Sequence, residues 1–382
     1  MTKPYAPIGL FLFLTIPLFA QGVGVGTRID FTAKLNLNNG TSGQFAQLFV
    51  PDYFIAPANG DFTLVFHLHS ASWAAEDEVY RSRVNAILFN IHLGGFSSSY
   101  QNYFALQSNF QKILDSVVAV LRARGIVNTP HINKLIVTSF SAGYAGVREM
   151  FKTAAYYNRI NALTLADGLH CNSDSATMRT QMQDFVRFAR DARDRRKVLL
   201  LTHSSITTSG YENTTQTGTY LVNNIGSTRR SFSATDSIGT QYSRSDTGHF
   251  HLKGYFGTTA TDHLKHLYNM LSTLGPAVGL VDSIATAVDE PDVEPEGFWL
   301  EQNYPNPFNP TTTIRFLLGT HQGVSVRIFD VAGRHVETLV EDNLPSGVHE
   351  KLWNASGFAS GTYFYRLQSE TFSATRKLQL LK

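Results

Sequence analysis

Between Asp61 and Leu274 the chain alternates two hydrophobic rhythms. Short, nearly unbroken apolar runs occur at Phe62–His69, Asn85–Leu93, Lys134–Phe140, Ile160–Ala166, Val198–His203 and Phe250–Phe256. Each has the length of a strand buried on both faces. Between them the apolar spacing turns helical. Ile113, Leu114, Val117, Val118 and Leu121 mark Phe110–Arg124, and Phe185, Val186 and Phe188 lie on a long charged stretch, Ser175–Arg196. Further helices are expected over Ala145–Tyr156 and Thr261–Leu274. Apolar strands separated by helices predict an α/β domain: a mostly parallel sheet with helices on both faces.

Ahead of this region, alternating Arg28–Leu35 and Phe45–Pro51 flank Asn38-Asn39-Gly40, the pattern of an antiparallel hairpin. Behind it, residues 279–297 are acidic, carry prolines and lack a core-forming pattern, so they are expected to be an extended linker. From Phe298 the pattern becomes short alternating strands split by turn residues, as in a small β-sandwich. At the other end, Lys3 precedes an apolar run, Pro7–Phe19, and a small residue, Ala20. This reads as a secretory signal over residues 1–20, with a mature start near Gln21 and no later run long enough to span a membrane. The expected organisation is therefore 1–20, 21–278, 279–297 and 298–382.

Composition narrows the classes. The 382 residues suit two or three domains, and a net charge of +2 gives no nucleic-acid footprint. The sole cysteine, Cys171, precludes an intramolecular disulfide and reads as a small buried filler.

The C-terminal stretch carries four ordered motifs: Asn303-Tyr-Pro-Asn-Pro-Phe-Asn-Pro, Ile328-Phe-Asp-Val-Ala-Gly-Arg, Ser360-Gly-Thr-Tyr-Phe-Tyr-Arg-Leu and Lys377-Leu-Gln-Leu-Leu-Lys. Together they resemble the type A C-terminal sorting domain of the type IX secretion system. The resemblance implies an Ig-like sandwich, read by an outer-membrane exporter and removed by a sorting peptidase, in a Bacteroidota-type bacterium. It also implies passage through the periplasm to the surface or beyond. Gly333, Gly347 and Gly361 are expected in turns, and the prolines of the first motif in an extended lead-in.

The chemistry lies in the middle. Ser139-Phe-Ser141-Ala-Gly143 joins a strand to a helix, the setting of a nucleophile elbow, with Ser141 at the sharp turn. Ser139 stands where such an elbow commonly has glycine. With the surrounding order of elements, residues Thr27–Gly275 resemble the α/β-hydrolase fold. That resemblance implies a Ser141 nucleophile followed by an acid and then a histidine. Asp167, ending the next strand, is the first choice of acid and Glu212 the second. His263, after the last strand and near a helix start that keeps an imidazole neutral, is the first choice of base. His249, His251, His203 and His266 compete. Oxyanion donors are expected from the Ala142 N–H and from Ser70 or Ala71, and His69, Trp73 and Tyr144 are expected to line the pocket.

No cofactor is implied. His67, His69, His92, His170, His203, His249 and His251 raise a metal reading, but none has a recognised ligand spacing, and strand-end histidines gathering at a site rim account for them. The expected activity is a secreted serine hydrolase, foremost a carboxylic-ester hydrolase acting on an extracellular ester or polymer. Alternatives are a peptidase or amidase on the same scaffold, and a non-catalytic surface-binding protein on a degenerate one. In that last case Ser141, Asp167 and His263 would not converge, and a metal-dependent hydrolase would gather at least three ligands.

Overall fold

The computed structural model describes residues 24–37, 43–286, 299–300 and 303–381, apart from 304, 319, 332, 346, 370 and 371. The expected signal segment, the hairpin tip at 38–40 and most of the expected linker lie outside these residues. The chain divides into two compact units that part between Ala287 and Val288.

The first unit is built on a ten-stranded sheet. Its first strands are β1 (Gly26–Asp30), β2 (Phe45–Pro51), β3 (Asp61–Leu68), β4 (Ala86–His92), β5 (His131–Phe140) and β6 (Ala162–Ala166). A two-residue strand, β7 (Cys171–Asn172), pairs outside the sheet with β9 (Tyr211–Glu212). The sheet continues with β8 (Val198–His203), β10 (Arg230–Thr235), β11 (Thr240–Thr247) and β12 (Phe250–Tyr255). Their spatial order is β1-β2-β4-β3-β5-β6-β8-β12-β11-β10. The strands from β4 to β12 run parallel, while β1–β2 and β11–β10 add antiparallel edges. This is the expected α/β-hydrolase-like architecture.

Alternate residues of the central strands bury on opposite faces, as the strand period of two requires. Leu64, Phe66, Leu135, Val137, Leu199 and Leu201 join one core. Val65, Ile136, Val198 and Leu200 join another. The first core is covered by α2 (Ser97–Ala105), α3 (Ser108–Ala123), α4 (Tyr144–Phe151), α5 (Ala154–Arg159), α6 (Ser175–Arg193) and α7 (Thr214–Asn224). The second is covered by α1 (Ser72–Ser82), α8 (Ala260–Leu267) and α9 (Leu271–Thr286).

Three local expectations are corrected. The single helix over Thr261–Leu274 breaks at Tyr268–Met270. Its second half, α9, runs through Pro276 to Thr286, because Ala277 and Val281 bury against the sheet. Residues 279–286, expected in an extended linker, are therefore helical. The helix over Ala145–Tyr156 is likewise two, divided at Lys152–Thr153.

The second unit has two antiparallel sheets. One contains β13 (Trp299–Leu300), β14 (Thr311–Leu318) and β17 (Gly347–Asn354); the other contains β15 (Gln322–Asp330), β16 (His335–Leu344), β18 (Gly361–Ser369) and β19 (Ser373–Leu380). Ile314, Phe316 and Trp353 of the first meet Val326, Ile328, Tyr365 and Leu378 of the second in one core, which makes a β-sandwich. Gly333, Gly347 and Gly361 take positive φ at turns or strand starts. The proline-rich lead-in bends rather than extends, with cis bonds at Asn306–Pro307 and Asn309–Pro310.

Candidate active site

The site is assembled from the C-terminal ends of adjacent parallel strands. In the register of β5 and β6, Phe140 pairs with Ala166, so Ser141 and Asp167 are the next residues after two neighbouring strands. Both leave their strands in the left-handed region, Ser141 at φ 45° and Asp167 at φ 42°. Ser141–Gly143 form one tight 3-10 turn that runs into α4. The turn closes only because its neighbours are small. A Cβ on Gly143 would lie 2.6 Å from the Leu68 carbonyl oxygen, and one on Gly168 would lie 2.4 Å from that of Ser141. Ser139 is fully buried, and its hydroxyl has no hydrogen-bond partner among the described residues.

Asp167 is 2% exposed and saturated with donors. His263 Nδ1 lies 2.7 Å from Oδ2. The Ser204 N–H (2.9 Å) and the Thr214 hydroxyl (2.8 Å) donate to Oδ1. Burial alone would raise this carboxyl's pKa; the hydrogen bond from His263, the charges of His266 and His263, and the Ser204 N–H outweigh it and hold the group well below the usual carboxylate range. An ionised carboxylate only accepts, so His263 carries its proton on Nδ1 and turns the lone pair of Nε2 away from Asp167. His263 lies in the first turn of α8, which Thr259 caps through a reciprocal bond with Asp262. Its ring rests on Phe140, the residue before Ser141, at a centroid distance of 4.5 Å. Phe140 from one side and Gly168 from the other thus link Ser141 to the Asp167–His263 pair.

Two helix starts face this edge. Ala142 lies in the turn that opens α4, and Ala71 caps the start of α1, so both belong to segments whose first N–H groups lack partners within the helix. The loop between β3 and α1 turns at His69, with φ 75°. The Ser70 hydroxyl donates to Ala71 O (2.9 Å) and accepts from Asn90 Nδ2 (3.3 Å). His69 bonds Tyr100 through Nδ1 (2.9 Å) and stacks on Phe140 and His92. Burial, with His92 next, lowers its pKa to about 3. Tyr144, directly after the turn, meets His170 edge-to-face at 5.5 Å, and His170 meets Tyr211 at 5.2 Å. Trp73 stacks on Tyr268 at 5.4 Å, bracing α1 against the end of α8.

The competing residues are placed elsewhere or engaged otherwise. Glu212 pairs with Cys171 in the small β7–β9 ribbon, and its backbone oxygen engages His170 Nδ1 (3.1 Å). His249 and His251 lie at the N-terminal end of β12, level with Val198 and Leu200, so they belong to the far side of the sheet and not to the rim. His251 bonds Asp246 there (2.7 Å). His203 is at the right edge but buried, with its Nε2 accepting from Arg229; burial, then Arg229, lowers its pKa to about 3. His266 is buried against Thr202 Oγ1 (2.9 Å), and burial lowers its pKa to about 4. Cys171 is buried, which raises its thiol pKa to about 11. Among the described residues no group of three His, Cys, Asp or Glu side chains stands close enough to hold a metal ion. The sequence reading missed Ser204, Thr214 and Arg229. Only Asn213-x-x-Gln216, a capping box that opens α7, could have pointed to Thr214.

A family model described as "Secretion system C-terminal sorting domain" matches residues 302–380. The second unit is thus a type IX sorting domain, which marks the chain for secretion and surface attachment through that machinery. A solved structure of PorZ, a surface component of the type IX system of Porphyromonas gingivalis, aligns at 26% identity over 22% of this chain and 11% of PorZ (TM-score 0.16). The first unit aligns with esterase structures. For the feruloyl esterase module of Clostridium thermocellum the identity is 9%, covering 65% of this chain and 87% of the module (TM-score 0.38). For the siderophore hydrolase EstB of Aspergillus nidulans it is 8%, covering 69% and 98% (TM-score 0.35). None of the curated proteins matches the chain. No helix among the described residues is long and apolar enough to cross a membrane.

Proposed function

We propose that the chain is an exported serine hydrolase that cleaves carboxylic esters through an acyl-enzyme. The observation that carries this reading is the 2.7 Å bond between Asp167 Oδ2 and His263 Nδ1, on the strand edge where Ser141 adopts a left-handed turn. In the proposed reaction Ser141 Oγ attacks the ester carbonyl as His263 Nε2 takes its proton. The tetrahedral oxyanion is held by the N–H of Ala142 and by one from Ser70 or Ala71, each such donor worth about 3 kcal/mol. The C–O bond then breaks, the alcohol leaves with the proton from His263, and water repeats the sequence to release the acid. Asp167 stays ionised throughout, orienting the imidazole and stabilising its charged form. His69, Trp73 and Tyr144 shape the surroundings. Export favours an extracellular substrate such as an acylated polysaccharide, a polyester or a lipid. The outer-membrane exporter and the sorting peptidase are the partners of the second unit.

Hydrolysis of p-nitrophenyl esters of graded chain length by the full chain, beside Ser141→Ala, tests the reading. Turnover and fluorophosphonate labelling in the wild type, both lost in the variant, are expected. A folded wild type that neither turns over nor labels refutes it and directs attention to peptide substrates or to binding without catalysis.

A further inference from the structure

Behind Asp167, away from His263, lies an arginine with no use in the reaction above. All five N–H groups of Arg229 are taken. Nε donates to Ser243 Oγ (2.9 Å); one terminal nitrogen donates to Thr215 O (3.3 Å) and Thr219 Oγ1 (2.8 Å); the other donates to Tyr242 OH (3.2 Å) and to His203 Nε2. Every acceptor is neutral, and among the described residues Arg229 forms no ion pair. Partly burying a cation on neutral partners alone is costly, and a salt-bridging carboxylate is the usual remedy. The space for the contact is made by Gly254, whose register partner is His203: a Cβ there would fall 2.7 Å from the Arg229 nitrogen and 2.8 Å from the His203 ring.

The contact sets the state of His203. Guanidinium has no acceptor, so Nε2 must supply the lone pair and the ring proton must sit on Nδ1. Nδ1 lies 2.8 Å from Ser204 O and donates to it; the Thr215 hydroxyl donates to the same oxygen (3.1 Å). Next in the loop, the Ser205 N–H bonds Gly257 O (2.9 Å). Ser204 is thereby fixed on its carbonyl side, while its N–H is the donor to Asp167 Oδ1.

We propose that Arg229 and His203 form a buried strut that holds the Ser204 peptide against Asp167, making both of them positioning residues for the Asp167–His263 pair. The consequence for turnover rests on the ester-hydrolase reading above; the strut itself does not. It also explains why a histidine at the reacting edge of the sheet is unsuited to be the base: its free lone pair is consumed by the arginine.

The test records imidazole 15N–1H spectra and the pH profile of kcat/KM for p-nitrophenyl acetate on the full chain, for wild type, Arg229→Gln and Arg229→Lys. In the wild type, His203 is expected as the Nδ1–H tautomer, unprotonated down to about pH 4. In Arg229→Gln, kcat should fall about tenfold with KM within twofold, because a carboxylate displaced by a fraction of an ångström misorients the imidazole. The His263 Nδ1 proton should lose its low-field position, and the acid limb of the profile should move. Arg229→Lys, which keeps a donor for Nε2, should fall between. An Nε2–H tautomer of wild-type His203 overturns the proposal, as does a folded Arg229→Gln with unchanged kcat and His263 signal. If that variant does not fold, the wild-type tautomer decides. A wild type without turnover or labelling sinks the ester-hydrolase reading, while the tautomer and the His263 proton still decide the strut.

Discussion

Gly168→Ala probes the join between nucleophile and acid with a single methyl group. The new Cβ would stand 2.4 Å from Ser141 O, 2.6 Å from its N and 2.8 Å from its Cα. Carbon–heavy-atom contacts below about 3 Å are repulsive, so one partner must move by about 0.6 Å. Both sides are backbone, and no rotamer change can absorb the overlap. If the Ser141 turn yields, the hydroxyl is displaced; if the 167–169 loop yields, the carboxylate shifts beneath the His263 ring. Overpacking of this kind costs about 1–3 kcal/mol of stability. Misplacement approaching 1 Å costs on the order of 10²-fold in rate. Gly275→Ala is the control, since a Cβ there meets nothing within 4 Å and the helix gains propensity. Urea unfolding, kcat/KM for p-nitrophenyl acetate and the fluorophosphonate labelling rate are measured on both variants. A Gly168→Ala protein within twofold of wild type in turnover and labelling would refute the close approach of the two strand ends as a requirement of the site.

Three further outcomes are expected. Asp167→Asn should lower kcat by about 10²–10⁴-fold in stopped assays and also lower urea stability at pH 7, because the neutral amide loses the charge interactions that hold the carboxyl's pKa down and its NH2 cannot accept from His263 Nδ1; a loss of rate under fivefold contradicts the assigned role. Acid should destabilise the first unit before it protonates Asp167. His67, His203 and His266 are buried, and burial lowers their folded pKa values to about 3, 3 and 4 against 6.5 unfolded. The unfolded chain therefore binds more protons below pH 6.5, costing about 2 kcal/mol per histidine and about 6 kcal/mol in all at pH 5. Asp167, whose folded pKa is lowered, keeps its contribution until far lower pH. Urea midpoints at pH 7 and 5 that differ by less than about 1 kcal/mol would contradict this. Finally, Trp353→Ala empties the centre of the second core and should cost about 3–5 kcal/mol there; in a type IX-competent host the extracellular fraction should fall, and unchanged export would separate sorting from the folded sandwich.

Much of the fold was legible because central parallel strands announce themselves as apolar runs, and those six runs recur as strands with ends within three residues. Elements whose stability comes from elsewhere were silent. Helix α1 reads Trp-Ala-Ala-Glu-Asp-Glu and buries Glu76, Asp77 and Glu78, with Glu76 answered by Arg28 at 2.7 Å, so it has no apolar period to detect. Strands β10 and β11 are Ser-, Thr- and Arg-rich because an edge hairpin is held by backbone pairing. At the site, Ser141 and His263 were marked by their places relative to strands. Asp167 was ranked ahead of Glu212 by its place at a strand end, but only the tertiary fold shows that it faces His263. The inclusion of His249 and His251 was avoidable: in a parallel sheet all strands end at one edge, and both residues precede or begin theirs. Arg229 had no signal at all, because its role depends on a hole left by Gly254.

Three of the six non-glycine residues with positive φ among the described residues gather at one edge of the sheet, which supports the proposed site independently of any motif. His69, Ser141 and Asp167 all have positive φ, and each is the first residue after β3, β5 and β6 respectively. The sheet order makes these three strands neighbours, so the strained residues stand side by side within about 10 Å. A left-handed conformation costs a non-glycine residue roughly 1–2 kcal/mol, and glycine would relieve it at any of the three. Glycine is nevertheless absent from all three and present instead at 143 and 168, where close approach and not φ demands it. The side chains that make the strain expensive are the hydroxyl, the carboxylate bonded to His263, and an imidazole stacked on Phe140. A scaffold retained only for binding would gain stability by losing them. Three adjacent strand ends that keep reactive or polar side chains at a local energetic cost are what a reacting centre requires.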